Sequence, residues 1–187
     1  GSMLCYGRPG QRWTFYEIDP EIERIAADRE LFSFLSDCGP SAAVETGDAR
    51  ISLAREPAGR FSLLVLDAFS SDAIPVHLLT REALDVYRRA LAPGGVLLFH
   101  VSNRYLDLEP VLGRLAAESG MTGRIAGHDA TPSDRRRELA RSSEWIVLAD
   151  RPGDLGAVAT DRRWRALRGS DGPLWTDDHT ALVELVR

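Results

Sequence analysis

Three carboxylates stand at the ends of consecutive apolar segments, where their side chains could work together. Glu17 lies near the end of the aromatic-rich stretch 12–18, Asp48 follows a shorter segment, and Asp67 follows the apolar run 63–66. In an open parallel sheet, right-handed crossovers bring the carboxyl ends of the strands to one edge, where ligands bind. We therefore predict one crevice lined by the three carboxylates.

Each carboxylate has a chemical use and a structural alternative. Glu17 suits the acidic residue that accepts hydrogen bonds from two ribose hydroxyls, because a carboxylate offers two oxygens to neighbouring donors. Asp48 is placed to accept from the exocyclic amine of adenine, and the small Ala49 lets the backbone approach the base. Alternatively, Asp48 only caps a following helix and Glu17 is only solvated. For Asp19 the capping role before Pro20 is sufficient.

Alternating strand and helix patterns position these residues. The runs 63–66 and 96–101 are short and strongly apolar, which is typical of parallel strands buried on both faces. The segments 121–127 and 144–149 follow one another without a helix, which predicts an antiparallel hairpin at the sheet edge. The predicted class is α/β: a doubly wound sheet, mostly parallel, with an antiparallel edge hairpin.

Length and composition limit the classes of protein. With 187 residues, 44% of them hydrophobic, the chain suits a single domain over 1–187. A formal charge of -5 disfavours a nucleic-acid partner and leaves room for a cationic ligand. Cys5 and Cys38 lack paired spacing, so we predict free thiols and a reducing, cytoplasmic compartment. No stretch approaches the roughly 18 to 20 apolar residues that span a bilayer.

The histidines have no metal-ligand spacing, so we predict no metal site. They are His77, His100, His128 and His179. His100 lies within an apolar strand and is interpreted as a core histidine with satisfied hydrogen bonds. His77, in the loop after Pro75, is the histidine expected nearest a substrate.

Four motifs in order resemble the spermidine synthase family. They are YEIDP at 16–20, GDA at 47–49, LDAFSSD at 66–72 and WTDD at 175–178. The similarity covers the chain from about residue 13 onward and is strongest to bacterial spermidine-synthase-like proteins that are often fused to a membrane region. The resemblance implies a methyltransferase-type Rossmann sheet and an aminopropyltransferase that uses decarboxylated S-adenosylmethionine, or S-adenosylmethionine in methylating relatives.

The resemblance also implies roles for individual residues. Glu17 would hold the ribose, with Asp19 beside it, and Asp48 with Ala49 would hold the adenine. Asp67 would bind the attacking amine of a diamine such as putrescine. Asp72 would bind the other end of the diamine or order the loop, with a solvated loop residue as the alternative. Asp177 and Asp178 are expected to close over the crevice.

Two departures from the family pattern leave other functions open. The family carries two aspartates three positions apart in this loop, whereas Asp67 and Asp72 are five apart, so the amine pocket is expected to be reshaped or lost. The family's first strand and glycine-rich turn would precede Leu4, and residues 1–3 are typical of a tag remnant. The alternatives are an S-adenosylmethionine-dependent methyltransferase and a non-catalytic domain that keeps the fold.

The same departures bear on assembly and location. Sheet edges exposed by a missing strand favour a homodimer, which sedimentation would detect. The resemblance to proteins fused to a membrane region leaves open an attachment of the full-length protein to a membrane through an upstream region. The pattern of residues 1–187 predicts no membrane segment.

Overall fold

The computed structural model of the chain describes residues 2–38, 42–69, 74–103, 105–131, 133 and 142–186. Contacts within the chain divide it into two compact units, Gly1–Glu56 and Pro57–Arg187. Each unit contains a sheet of its own. The prediction of a single domain over 1–187 stays a prediction.

The first unit is built on a two-stranded parallel sheet. Its elements are a 3-10 helix (Ser2–Tyr6), strand β1 (Trp13–Glu17), helix α1 (Pro20–Ala27), helix α2 (Phe34–Asp37), strand β2 (Ala42–Thr46) and helix α3 (Ala49–Arg55). Strand β1 pairs with β2 so that Trp13 lies opposite Ala42 and Glu17 opposite Thr46. The carboxyl ends of both strands therefore lie at the same edge of this sheet.

The helices that follow these two strands each begin at an aspartate. Asp19 accepts a hydrogen bond from the Glu21 N–H at 2.9 Å, with Pro20 as the first helical residue. Asp48 accepts from the Ile51 N–H at 2.9 Å and caps α3. Such caps satisfy N–H groups that have no partner inside the helix. The predicted capping role of Asp19 is confirmed, and Asp48 is a cap as well.

The two cysteines are not free thiols. Cys5, in the first 3-10 helix, and Cys38, directly after α2, form a disulfide across 33 residues of sequence. The prediction of free thiols is wrong because the chain folds back and brings the two Cα atoms to 4.4 Å, a proximity that sequence spacing does not encode. The expectation of a reducing compartment loses this support.

The second unit contains a mixed five-stranded sheet. Its strands and helices are β3 (Phe61–Leu66), α4 (Arg81–Ala90), β4 (Leu91–His100), α5 (Glu109–Glu118), β5 (Thr122–His128), β6 (Ser143–Ala149) and β7 (Arg165–Ala166). Short 3-10 helices occupy Val76–Leu78, Pro152–Ala159 and Leu182–Leu185. The spatial order is β3-β4-β6-β5-β7, with β3 and β4 parallel and the other neighbours antiparallel. The predicted α/β class, with parallel strands and an antiparallel edge hairpin, is confirmed.

Strand β4 and the faces of α4 and α5 supply much of the core of this unit. Leu97 and Phe99 of β4 are buried, as are Tyr87 of α4 and Leu112 of α5. Strand β3 lies at the edge of the sheet. Leu63 is 41% exposed, so the face of β3 that carries this side chain is incompletely covered, and the expected burial on both faces is wrong for Leu63.

An ion pair at the start of α5 ties this helix to β7. The Arg165 guanidinium donates to both carboxylate oxygens of Glu109, with Nη2 to Oε2 at 2.7 Å. The Arg168 N–H donates to Oε1 at 3.0 Å. The hydrogen bond from Arg165 lowers the pKa of Glu109, and burial, which acts in the opposite direction, does not offset it.

This ion pair predicts an acid-dependent loss of stability. A carboxylate whose folded pKa is lowered stabilises the fold above its unfolded pKa, about 4.3, and loses that contribution as the pH falls through the folded pKa. We expect Glu109→Gln to lower the melting temperature at neutral pH and to have a shrinking effect below about pH 4. Thermal unfolding at a series of pH values measures this. The control Glu118→Gln removes an exposed pair with Arg114 and should change little. A pH-independent loss in Glu109→Gln would contradict the prediction.

Candidate active site

Glu17 ends β1 with its carboxylate turned toward the start of α1. Its Oε1 accepts a hydrogen bond from the Asp19 N–H at 3.0 Å. The Glu17 carbonyl accepts from the Gly47 N–H at 2.7 Å, and Gly47 has a φ of +145°, a conformation that favours glycine. This backbone bond holds the turn that carries Asp48 next to the end of β1.

A largely apolar cavity of about 340 Å³ opens beside Glu17. Its lining residues include the aromatic residues Phe15, Phe32 and Phe34 and the acidic residues Glu17 and Glu23. Small-molecule sites are commonly apolar cavities with a few converging polar groups. The cavity therefore suits an apolar or aromatic part of a ligand.

Asp67 and His100 meet at the carboxyl ends of β3 and β4. These strands pair in parallel with Leu66 opposite Phe99, so the next residue of each strand lies side by side. His100 Nδ1 lies 2.6 Å from Asp67 Oδ1. The Asp67 side chain is 55% exposed, whereas that of His100 is 19% exposed. The carboxylate therefore faces solvent while the imidazole behind it is largely covered.

The His100 ring is held on its other side as well. Its Nε2 lies 2.8 Å from Ser102 Oγ, which accepts a hydrogen bond from the Glu144 N–H at 2.7 Å. The ring stacks on Trp145 with 4.4 Å between centroids and 19° between planes. These hydrogen bonds and this stacked ring together fix the orientation of the imidazole.

The backbone after Asp67 is anchored to the core. Phe69 is fully buried and stacks with Phe99 at 6.5 Å. The Asn103 side chain donates to the Phe69 carbonyl at 2.9 Å and accepts from the N–H groups of Tyr105 and Leu106. Asp72 lies outside the described residues, so its role stays a prediction.

The segment 175–178 packs against the start of α4. The Trp175 side chain is fully buried and its carbonyl accepts from the Arg81 N–H at 2.9 Å. The Thr80 hydroxyl donates to Asp177 at 2.8 Å, and the Asp177 N–H donates to Glu82 at 3.0 Å. Burial raises the pKa of Glu82, but hydrogen bonds from its own N–H, from Arg81 and from Asp177 outweigh it and leave that pKa lowered.

Metal-binding clusters and membrane-spanning helices are both absent from the described part of the chain. Among the residues that the structure describes, no group of three or more His, Cys, Asp or Glu side chains is arranged to hold a metal ion. No helix in those ranges has the length and apolarity needed to cross a membrane.

Comparison with known proteins agrees with the motifs. The chain is 35% identical over 99 residues to the polyamine aminopropyltransferase of Vibrio vulnificus (strain CMCP6), a match that covers 52% of this chain and 32% of the relative. A probable spermidine synthase from Corynebacterium glutamicum ATCC 13032 superposes with a TM-score of 0.59 at 16% identity over 90% of this chain. The chain is thus similar in sequence to a polyamine aminopropyltransferase over about half of its length, and similar in fold to spermidine synthases.

The similarity extends over only part of each related protein. Spermidine synthase from Thermotoga maritima superposes with a TM-score of 0.53 at 13% identity over 88% of the chain, and no protein-family model matches. The chain spans about a third of the length of its curated relative. It spans 64% and 54% of the two solved structures.

The sequence alone did not place His100 in the candidate site. The apolar run 96–101 predicted a core residue there. The signal that could have found it is its position in the sequence. His100 is the last residue of β4, and Asp67 directly follows β3, the preceding strand. Glu17, Asp19 and Asp48 gather at one sheet edge in the first unit, and Asp67 lies with His100 in the second.

Proposed function

We propose that this chain transfers an aminopropyl group from decarboxylated S-adenosylmethionine to a diamine such as putrescine. The observation that carries the proposal is the solvent-facing carboxylate of Asp67 at the carboxyl end of β3, fixed by His100 at 2.6 Å. The likeness to a polyamine aminopropyltransferase supports it. So does the spermidine synthase in complex with the transition-state analogue AdoDATO, which superposes with a TM-score of 0.52.

The reaction requires a base near the amine. An alkylamine has a pKa of about 10.4 and is mostly protonated at neutral pH, so it must lose a proton before its nitrogen can attack. The Asp67 carboxylate binds the ammonium group and accepts that proton. The nitrogen then forms a bond to the carbon next to the sulfonium, the carbon–sulfur bond breaks, and sulfur keeps the electron pair. Methylthioadenosine leaves as a neutral thioether.

The first unit supplies groups that fit the adenosine part of the donor. Glu17 would accept hydrogen bonds from the ribose hydroxyls, since Oε1 has a second lone pair and Oε2 is a further acceptor. Asp48 and Ala49 would contact the adenine, and Asp19 would keep the start of α1 in place. The apolar cavity beside Glu17 offers aromatic side chains to a purine ring.

Glu17→Gln tests the donor site. We expect it to weaken binding of decarboxylated S-adenosylmethionine by roughly 10- to 150-fold, because hydrogen bonds to a charged group contribute about 1.5–3 kcal/mol. Isothermal titration calorimetry measures the change, with Glu45→Gln, an exposed carboxylate on the neighbouring strand, as the matched control. If both variants bound the donor with the same affinity, Glu17 would not be a donor-binding residue.

The choice of donor separates the candidate functions. Tighter binding of the decarboxylated donor, with methylthioadenosine formed in the presence of putrescine, supports aminopropyl transfer. Preference for S-adenosylmethionine would replace it with methyl transfer. Absence of binding to both, in a sample that unfolds cooperatively, would assign the fold a non-catalytic role.

A further inference from the structure

The contacts of Asp67 are more elaborate than amine binding requires. A lone solvent-facing carboxylate can attract an ammonium group, yet one oxygen of Asp67 is taken by His100, and His100 is in turn held by Ser102. We propose that His100 and Ser102 are positioning residues that fix the Asp67 carboxylate and direct its Oδ2 to the amine substrate. This inference rests on the proposed function.

The hydrogen bonds define which ring nitrogen carries the proton. An ionised Asp67 carboxylate only accepts hydrogen bonds, so in the neutral imidazole Nδ1 carries the hydrogen that is donated to Oδ1. Nε2 is then unprotonated and accepts from the Ser102 hydroxyl, whose oxygen accepts the Glu144 N–H at 2.7 Å. The opposite tautomer would set the Nδ1 lone pair 2.6 Å from a carboxylate oxygen, which is repulsive unless Asp67 is protonated.

Stacking on Trp145 completes the arrangement. The rings are 4.4 Å apart and nearly parallel, so the imidazole cannot turn about its bond to Cβ without losing this contact. The hydrogen bond to Oδ1 restricts rotation of the exposed carboxylate, and under this proposal Oδ2 is the oxygen that meets the amine. Pre-organisation of this kind matters because a displacement of about 1 Å at a reacting group can cost roughly 100-fold in rate.

The order of exposure argues against a nucleophilic serine. Ser102, His100 and Asp67 are connected as in a Ser-His-Asp triad, where the carboxylate is buried and the serine faces the substrate. Here the carboxylate is more exposed than the imidazole, at 55% against 19%. The group that faces a ligand is therefore Asp67.

Two substitutions of His100 separate positioning from packing. His100→Phe keeps a ring on Trp145 and removes the donor to Asp67, whereas His100→Asn removes the ring and keeps an N–H donor near the position of Nδ1. We expect His100→Phe to lower kcat/KM for the amine by roughly 100-fold while the Kd of the donor is unchanged, and His100→Asn to recover at least about a third of the activity, because the hydrogen bond is restored. His128→Phe, an exposed histidine at the end of β5, is the matched control. The proposal would be overturned if both His100 variants lost their activity, or if both kept it.

The ring tautomer gives a readout that needs no substrate. Nitrogen-15 spectra of the wild-type protein should show His100 with Nδ1 protonated and Nε2 unprotonated, and Asp67→Ala, which removes the acceptor of the Nδ1 hydrogen, should release this preference. An Nε2-protonated ring in the wild type, or labelling of Ser102 by a fluorophosphonate, would overturn the proposal. If the wild type fails to transfer the aminopropyl group but shows the expected tautomer, the proposed function fails while the arrangement around Asp67 stands.

Discussion

Asp67→Asn is expected to lower kcat/KM for aminopropyl transfer by about 10²- to 10⁴-fold, the usual contribution of a positioned general base. Asparagine has the shape of aspartate and its side-chain oxygen can still accept from His100 Nδ1. The substitution therefore removes the charge and the proton acceptor with little change in packing. Formation of methylthioadenosine at varied putrescine concentration measures the loss.

Two comparisons keep this prediction specific. The Kd of the donor should be unchanged in Asp67→Asn, since the proposed adenosine contacts involve Glu17 and Asp48. Asp171→Asn is the matched control, because Asp171 is an exposed aspartate of the same unit. If Asp67→Asn kept more than about a tenth of the wild-type kcat/KM, the loss would be smaller than a general base contributes. The amine would then be deprotonated by another group.

Local sequence was sufficient to predict which residues lie at the carboxyl ends of the strands in the first unit. Asp19 and Asp48 act as caps because an aspartate before a helix can accept from N–H groups two or three residues ahead, which is a property of the immediate sequence. Glu17 lies at the end of a strand whose aromatic and β-branched residues mark it as one. In each case the deciding interaction spans only a few residues.

The features that were missed depend on distant pairings. The contact of His100 with Asp67 follows from the parallel register of Leu66 with Phe99, and an apolar pattern within one strand carries no information about its partner. The disulfide joins Cys5 to Cys38 across two helices and a strand. The exposure of Leu63 likewise depends on which distant elements cover that face of β3.

The candidate site around Asp67 also combines local features with contacts between distant residues. The charge of Asp67 and its place after a strand were visible in the sequence and predicted a ligand-binding crevice, and the family resemblance implied amine binding there. The orientation of the carboxylate depends on Ser102 and Trp145, which are far apart along the chain. Residue type therefore predicts which ligand chemistry Asp67 suits, whereas contacts between distant residues determine how its carboxylate is oriented.

Gly113→Ala is expected to destabilise the second unit by at least about 2 kcal/mol, despite the gain of roughly 1 kcal/mol in helix propensity. A Cβ at this position of α5 would lie 1.8 Å from the Arg168 carbonyl oxygen and 2.8 Å from its carbonyl carbon. Backbone atoms cannot rotate out of the way as a side chain does. The helix or the segment that follows β7 must move, which also disturbs the hydrogen bonds of Glu109 with Arg165 and Arg168.

Urea unfolding of Gly113→Ala and Gly153→Ala would measure this effect against a matched control. At Gly153 an added Cβ would have open space around it, with no atom within 4 Å. Its substitution should therefore change the free energy of unfolding by no more than about 0.5 kcal/mol. A lower midpoint for Gly113→Ala alone shows that the backbone at Arg168 packs directly on α5. Equal midpoints would mean that this segment is not held against the helix, and the acid-sensitive ion pair of Glu109 would then lose its structural basis.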